Sequence, residues 1–464
     1  MTLKHIVAAL AFAFAVPAYA APQAQPRFQT AEVEQGRYLA IAGDCAACHT
    51  APGPHQPAMA GGYSIESPLG TIFSSNITPS RTFGIGNYTE AQFARALREG
   101  IRADGAHLYP GMPYTAYAGL SDGDVHALYA FFMQGIAPVD VAARPTKLPF
   151  PFNIRASMWV WNSLFLNKKP VVADPAHNAQ WNRGRYLAET LAHCSTCHSP
   201  RGFLMQENHG KAQSGGQLGA WFAPNITSDK ISGIGGWNQN EIALYLATGH
   251  VRGKAQAAGP MAEAVTNSFS QMTPPDIAAL AAYVATVPAV RDASATQASY
   301  AIGGPANTDP QLRGQQASSE GAHLFSGLCS SCHNRDGSGT QDGIIPSLFH
   351  NSTVGAAKPD NLVAVILHGV DRTVGATHVL MPGFGDRSFV QPLSDTQIAA
   401  LATFVRQTYG PGDTVSDQQV ALARQGGAAS LLLALARWGM AAGVVLVLLL
   451  CVWLLRRRLR LRKN

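Results

Sequence analysis

Charge is scarce in this 464-residue chain: Asp, Glu, Lys and Arg make up 13% of it, about half the usual share, against 47% hydrophobic residues. Such a composition is globular and excludes a disordered polyelectrolyte. The formal net charge of +6 implies no basic surface either. Arg456, Arg457, Arg458, Arg460, Arg462 and Lys463 at the C-terminus account for all of it, so no nucleic-acid partner is expected. Missing too are a nucleotide-binding glycine fingerprint between a strand and a helix, a supported Ser/His/Asp arrangement and a carboxylate pair that demands acid–base work. The chain is expected to have no catalytic site of its own. No alternating strand pattern competes with the helical periodicities, and the fold class is expected to be mainly α. Cysteines for disulfides are lacking as well, because Cys451 lies in an apolar C-terminal run and the other six fall into three identical frames.

The frames are Cys45-Ala46-Ala47-Cys48-His49, Cys194-Ser195-Thr196-Cys197-His198 and Cys329-Ser330-Ser331-Cys332-His333. Two thiols at this spacing serve a redox dithiol, half of a zinc site or a pair of thioether anchors for haem, and only the last needs the adjoining histidine. Zinc wants four ligands, usually as two pairs close in sequence, and three frames so far apart fit that poorly. A thioredoxin-like dithiol would follow a strand pattern, which is absent here. Covalent haem fits, with Cys45, Cys48, Cys194, Cys197, Cys329 and Cys332 adding to the vinyl groups and His49, His198 and His333 meeting the iron from one face.

Repetition supports this independently. The 149-residue shift from Cys45 to Cys194 also carries Asn76-Ile77-Thr78 onto Asn225-Ile226-Thr227, Gly84-Ile85-Gly86 onto Gly233-Ile234-Gly235, and Met112 onto Met261. "GRYLA" stands at 36–40 and again at 184–188. A third, shorter unit keeps the order of landmarks as far as Met381. Each unit closes on a helical pattern, through Val125, Leu128, Tyr129 and Phe132, through Ile277, Leu280, Ala281 and Val284, and through Ile398, Leu401, Ala402 and Val405. Ser121, Thr273 and Ser394 stand near their starts as caps. The expected organisation is three cytochrome c-type domains in tandem, at 28–140, 181–290 and 316–411. They are joined by an aromatic, Pro-rich connection at 141–180 and a looser linker at 291–315.

A sixth iron ligand must come from farther along each unit. Met112 and Met261 each lie 63 residues after the frame histidine, and Met381 lies 48 after His333. Met112 and Met381 precede proline, whereas Met261 precedes Ala262, which leaves Met272 as its competitor. A thioether opposite imidazole stabilises ferrous iron and raises the potential. His107, His126, His193, His250, His368 and His378 read as surface or packing residues. The connection carries Phe150, Phe152, Trp159, Trp161 and Phe165, which suit either a strap between domains or a docking surface for a partner.

The ends set the location. Residues 1–20 read as a signal peptide, with Lys4, an apolar run and Ala18-Tyr19-Ala20. The uncharged run 438–455, about 27 Å long as a helix, reads as a transmembrane segment after a linker at 412–437. The basic tail 456–464 places the C-terminus in the cytoplasm and everything before the helix outside it.

With the three frames, the segments "SNITPS", "GIGNYT", "ADGAHLYPGMPY" and "PRGF" resemble the tri-haem cytochrome c subunits of bacterial membrane-bound dehydrogenases. These are the cytochrome subunits of gluconate 2-dehydrogenase, fructose dehydrogenase and quinoprotein alcohol dehydrogenase. The likeness runs from about residue 36 to 409. It implies three covalently bound haem c groups and an electron-transfer role in the cytoplasmic (inner) membrane of a Gram-negative bacterium, with the haem domains in the periplasm. A catalytic subunit using flavin or pyrroloquinoline quinone (PQQ), in some cases with a small accessory subunit, would supply the electrons, and ubiquinone would take them. The C-terminal helix is similar to that of subunits accompanying the flavin-dependent gluconate and fructose dehydrogenases. Two alternatives stay open: the subunit of a PQQ-dependent alcohol dehydrogenase, and a free-standing membrane-tethered carrier to a terminal oxidase.

Overall fold

Three glycines let pairs of helices touch backbone to backbone. The computed structural model describes residues 28–53, 55–308, 310, 313 and 318–461. The expected signal peptide lies outside these residues, as do Arg462 and Lys463. The first unit opens on α1 (Thr30–Ala42) and turns through Asp44 into the short α2 (Cys45–His49). It continues through β1 (Ser64–Ile65), β2 (Ile72–Phe73), α3 (Glu90–Glu99) and α4 (Tyr114–Tyr117) to α5 (Asp122–Ala130). Helix α5 lies across α1 so closely that a Cβ on Gly36 would stand 1.9 Å from the Ala127 carbonyl oxygen. Leu39, Val125, Leu128 and Phe132 are buried around that crossing, and the Ser121 hydroxyl caps α5 by accepting the Asp124 N–H.

The connection forms α6 (Ser157–Phe165), none of whose residues is buried. The second unit then repeats the first: α7 (Ala179–Glu189), α8 (Cys194–His198), β3 (Gly216–Leu218), β4 (Trp221–Ala223) and α9 (Gln239–Thr248). After β5 (His250–Val251) and β6 (Ala255–Gln256) come α10 (Gly259–Asn267) and α11 (Pro274–Val284). Helix α11 crosses α7 where a Cβ on Gly184 would meet the Ala279 carbonyl oxygen at 1.9 Å, and Thr273 caps it. The third unit has α12 (Glu320–Leu328), α13 (Ser330–His333), α14 (Asp360–His368), a hairpin of β7 (Val370–Val374) and β8 (Thr377–Met381), and α15 (Asp395–Tyr409). Here Gly321 makes the crossing, where a Cβ would stand 2.2 Å from the Ala400 carbonyl oxygen, and Ser394 caps α15.

The described residues are mainly helical, with four two-stranded antiparallel hairpins. The hairpins are strands that no alternating hydrophobic pattern announces. In β7 the burial alternates, but the second inward residue is Arg372, so hydrophobicity hides the period. Two linker expectations are corrected. Within 412–437 stands α16 (Asp417–Arg424), which Ser416 caps and which buries Val420 and Ala423 against α14 and α15. Two buried apolar residues are too few to be read as a period. The long apolar helix α17 (Leu431–Leu461) starts seven residues before Trp438. In 291–315, Tyr300 packs on Trp237 with the Lys254 ammonium 5.3 Å from its ring, and Thr308 donates to the Arg335 carbonyl. Its described residues Tyr300 and Thr308 are thus held by specific contacts.

The first two units clasp each other reciprocally. Tyr38 of α1 donates to Asp276 at the start of α11 (2.6 Å), and its counterpart Tyr186 of α7 donates to Asp124 at the start of α5 (2.5 Å). The matching position of the third unit is His323, and that unit docks on the second by other bonds. Asn361 exchanges two with the Phe222 backbone (2.9 and 2.8 Å), and Gln256 donates to the Ile344 carbonyl (2.9 Å). The connection clamps the first unit: Tyr114 donates to Asn162 (2.8 Å), Tyr109 to the Phe152 carbonyl (2.8 Å) and Arg155 to the His107 carbonyl (2.7 Å). Trp161 reaches the second unit at the Leu204 carbonyl (2.9 Å), while Trp159 stays 65% exposed. The strap reading therefore describes much of this connection.

Candidate cofactor sites

Each frame folds as a short helix, α2, α8 or α13 with Cys329 just before it, packed against its unit's first helix. Asp44 and His193 stand just before the first two frames in the left-handed region (φ 52° and 36°), so the chain doubles back from α1 and α7. None of the six frame cysteines is in a disulfide. Burial pushes the Cys45, Cys48, Cys194 and Cys329 thiols up to about 12, with neighbouring acidic groups adding to the rise, and the Cys197 thiol up to about 11. A redox dithiol needs a depressed thiol pKa, and these environments do the opposite. Among the described residues no group of three or more His, Cys, Asp and Glu side chains converges on a metal-ion position, which disfavours zinc.

The three histidines share one arrangement. His49 Nδ1 lies 2.7 Å from the Ser75 carbonyl oxygen, His198 Nδ1 2.7 Å from that of Pro224, and His333 Nδ1 3.0 Å from that of Pro346. A carbonyl can only accept, so Nδ1 carries the proton and Nε2 keeps its lone pair. Burial holds all three rings below the usual histidine range, against the opposing pull of the carbonyl bond, which keeps them neutral near pH 7. Among the described residues nothing bonds to any of the three Nε2 atoms. A fixed tautomer with a free Nε2 is the geometry of a metal-ligating imidazole.

The carbonyls are themselves placed by repeated turns. Ser75 and Pro224 immediately precede Asn76 and Asn225. Each asparagine Oδ1 accepts the N–H and the hydroxyl of the threonine two residues on, Thr78 (2.9 and 2.7 Å) and Thr227 (2.8 and 2.7 Å). Each Nδ2 donates to a carbonyl after the closing helix, of Val139 and Val290 (both 2.8 Å). The duplicated Asn-Ile-Thr triplets thus aim the histidines. Sequence reading had the triplets but not the carbonyl before them, although its equal offset from both histidines was available as a signal.

The methionines lie in three settings. Met112 sits in the turn before α4, Met261 in the first turn of α10, and Met381 ends β8 opposite Val370. Met112 and Met261 pack, partly buried, on the same apolar cluster as Cys45 and Cys194. Met272, the competitor, is a buried member of that cluster. Of the other histidines, His126 bonds Glu90 (2.9 Å), His378 bonds Asp371 (2.8 Å) and His193 packs edge-on to Tyr117.

The cytochrome c family profile matches residues 182–288 and 318–409. The chain is 46% identical to the fructose dehydrogenase cytochrome subunit of Gluconobacter japonicus, over 92% of this chain and 91% of that one. It is 37% identical to the cytochrome c subunit of the alcohol dehydrogenase (quinone) of Komagataeibacter europaeus, over 90% and 89%. To the gluconate 2-dehydrogenase cytochrome c subunit of Pantoea cypripedii it is 35% identical, over 85% and 89%. Paired cysteines beside histidines presenting Nε2 agree with the full-length likeness to these subunits, and the chain belongs to the family of electron-transferring cytochrome c subunits of dehydrogenases.

Proposed function

We propose that the chain carries three covalently bound haem c groups, one per frame, and relays electrons from a periplasmic sugar-type, flavin-dependent dehydrogenase subunit to membrane ubiquinone. The observation that carries this reading is the threefold recurrence of a buried cysteine pair beside a histidine whose Nδ1 is tied to a main-chain carbonyl. Haem supplies a one-electron couple when bound, with a potential raised by methionine ligation. Cys45 and Cys48, Cys194 and Cys197, and Cys329 and Cys332 form the thioethers. His49, His198 and His333 would hold the haem iron through Nε2, and Met112, Met261 and Met381 through their thioether sulfurs. The chain has no substrate-oxidising role of its own in this reading.

Placement supports a relay. Helix α10, which carries Met261, packs against α2 of the first frame and against β7 of the third unit, so the second site lies between the other two. The 46% identity to a fructose dehydrogenase subunit, against 37% to a quinone alcohol dehydrogenase subunit, favours a sugar-oxidising partner. Helix α17, about 46 Å long and with no buried residue, anchors the chain, and Arg456 to Arg460 keep its far end in the cytoplasm.

Two measurements test the reading. Haem per chain should be three, falling to two when Cys45 and Cys48, Cys194 and Cys197, or Cys329 and Cys332 are changed to alanine; an unchanged ratio for any pair refutes that frame. In oxidase-blocked membranes, fructose or gluconate should reduce the haems within the mixing time. Reduction by ethanol alone would transfer the chain to a PQQ-type partner, and reduction only by a chemical reductant would favour the free-standing carrier.

A further inference from the structure

The approach to Met112 is closed from within its own unit. The Leu108 N–H donates to the Gly100 carbonyl (2.7 Å), and Tyr114 fills the space over Gly100, where a Cβ would meet its ring at 2.8 Å. The second unit repeats the backbone bond, from the Ala257 N–H to the Gly249 carbonyl (2.8 Å). At the tyrosine's place, however, it has Glu263, whose carboxylate accepts from Tyr63 of the first unit (3.0 Å). The space over Gly249 is filled by the third unit instead. Arg372 of β7 lies there, its Cδ and Nε 2.9 Å from where a Gly249 Cβ would be, and its Nη1 donates to both the Gly249 carbonyl (3.0 Å) and the Ala257 carbonyl (2.8 Å).

Arg372 is 3% exposed, and among the described residues it has no carboxylate partner. Ala257 leads directly into α10 and Met261, while β7 pairs with β8 so that Val370 faces Met381. A cavity of about 250 Å³ beside Arg372 is also lined by His250 and Asp342. The Asp342 carboxylate is occupied by Thr340 (2.6 Å) and the Ile344 N–H (3.0 Å), and His250 bonds the Gly343 carbonyl (2.8 Å). A buried cation favours an electron arriving nearby, the more so at low dielectric.

We propose that Arg372 is a positioning residue through which the third unit sets the electron affinity of the second site, by bracing the turn into Met261 and placing a buried positive charge between the Met261 and Met381 sites. This rests on the reading of Met261 as an iron ligand. Loss of the charge should favour the oxidised state of the second site.

The test is a redox titration of the detergent-solubilised full chain, comparing wild type with Arg372→Gln, Arg372→Met and Arg372→Lys, with haem content measured for each. Arg372→Gln keeps a donor for the carbonyls and removes the charge. One of the three steps should move to lower potential by about 59 mV, a tenfold change in the ratio of oxidised to reduced. Arg372→Met should move the same step at least as far, and Arg372→Lys should restore most of it. Unchanged titrations for Arg372→Gln with full haem content would overturn the proposal, as would an Arg372→Lys step displaced as far as that of Arg372→Gln. Met261→Leu, followed by the near-infrared methionine-to-iron band, separates the two readings. A band of undiminished intensity refutes Met261 as ligand, while the Arg372→Gln titration still decides the charge effect.

Discussion

At the scale of single residues, most polar side chains that matter here act by fixing something else. Ser75, Pro224 and Pro346 contribute only a carbonyl, yet each carbonyl decides which nitrogen of a frame histidine is free. Asp276 shows the same logic at the junction of the first two units. It accepts two bonds from Arg183 (2.8 and 2.7 Å) and one from Tyr38 (2.6 Å). Burial alone would raise its pKa, but these bonds outweigh burial and hold it below the usual carboxylate range. A depressed carboxyl stabilises the fold fully above the unfolded value, near pH 4, and the contribution is lost as pH falls through the folded value. Thermal unfolding between pH 6 and 3 should therefore show wild type losing more stability on acidification than Asp276→Asn. The variant should be weaker near pH 6 by about 1–2 kcal/mol, a charged hydrogen bond discounted because Arg183 is partly exposed. Parallel curves would show that the carboxylate does not couple to folding.

At the scale of elements, the helix crossings carry each unit, and one atom per crossing decides whether they form. A methyl group at Gly184 would have to sit 1.9 Å from a carbonyl oxygen belonging to the backbone of α11, so the helices must separate. Gly184→Ala should destabilise the second unit by about 2–3 kcal/mol, through overpacking and lost burial around Leu187 and Leu280. Gly123→Ala is the matched control, because nothing lies within 4 Å of the added carbon in the first turn of α5. It should be neutral or stabilising by up to about 1 kcal/mol. Thermal unfolding with haem retention as the readout checks both, and equal effects would mean that the crossings are not the critical contacts. The hairpins are the other instructive element. The alternation in β7 places Val370 and Arg372 inward and Asp371 outward, so its strand character lies in burial rather than in hydrophobicity.

At the scale of the whole molecule, the duplicated units behave as a pseudo-symmetric pair and the third as an appended partner. The tyrosines of the two "GRYLA" segments reach across to each other's closing helix, much as one patch meets its copy in a two-fold dimer. The third unit has His323 there and joins through β7, Asn361 and the loop at Ile344. Helix α17 leaves from the opposite end of the chain's path, where the Ser430 N–H donates to the Pro68 carbonyl (3.0 Å) and Arg437 stands 3.4 Å from the Phe150 carbonyl. None of its residues is buried, so the three units do not depend on it for their cores. A chain ending at Ser430 should fractionate as soluble protein with haem content unchanged. Retention in the membrane fraction after high-salt washing would show that another surface holds it there.

Much of this was legible from spacing alone. Short motifs and periodic burial are local: a cysteine pair with its histidine is visible within five residues, and the closing helices within eight, since apolar residues must recur every third or fourth position to share a face. The caps at Ser121, Thr273 and Ser394, the duplication and the apolar C-terminal helix followed in the same way. What only the tertiary structure decided depends on atoms far apart in sequence. The histidine tautomers rest on carbonyls 26, 26 and 13 residues away. The clasp between Tyr38 and Asp276 spans 238 residues. The space over Gly249 is filled by Arg372, 123 residues on, where the first unit uses its own Tyr114 over Gly100. No periodicity encodes such a bond, because its favourable energy exists only once both backbones are in place.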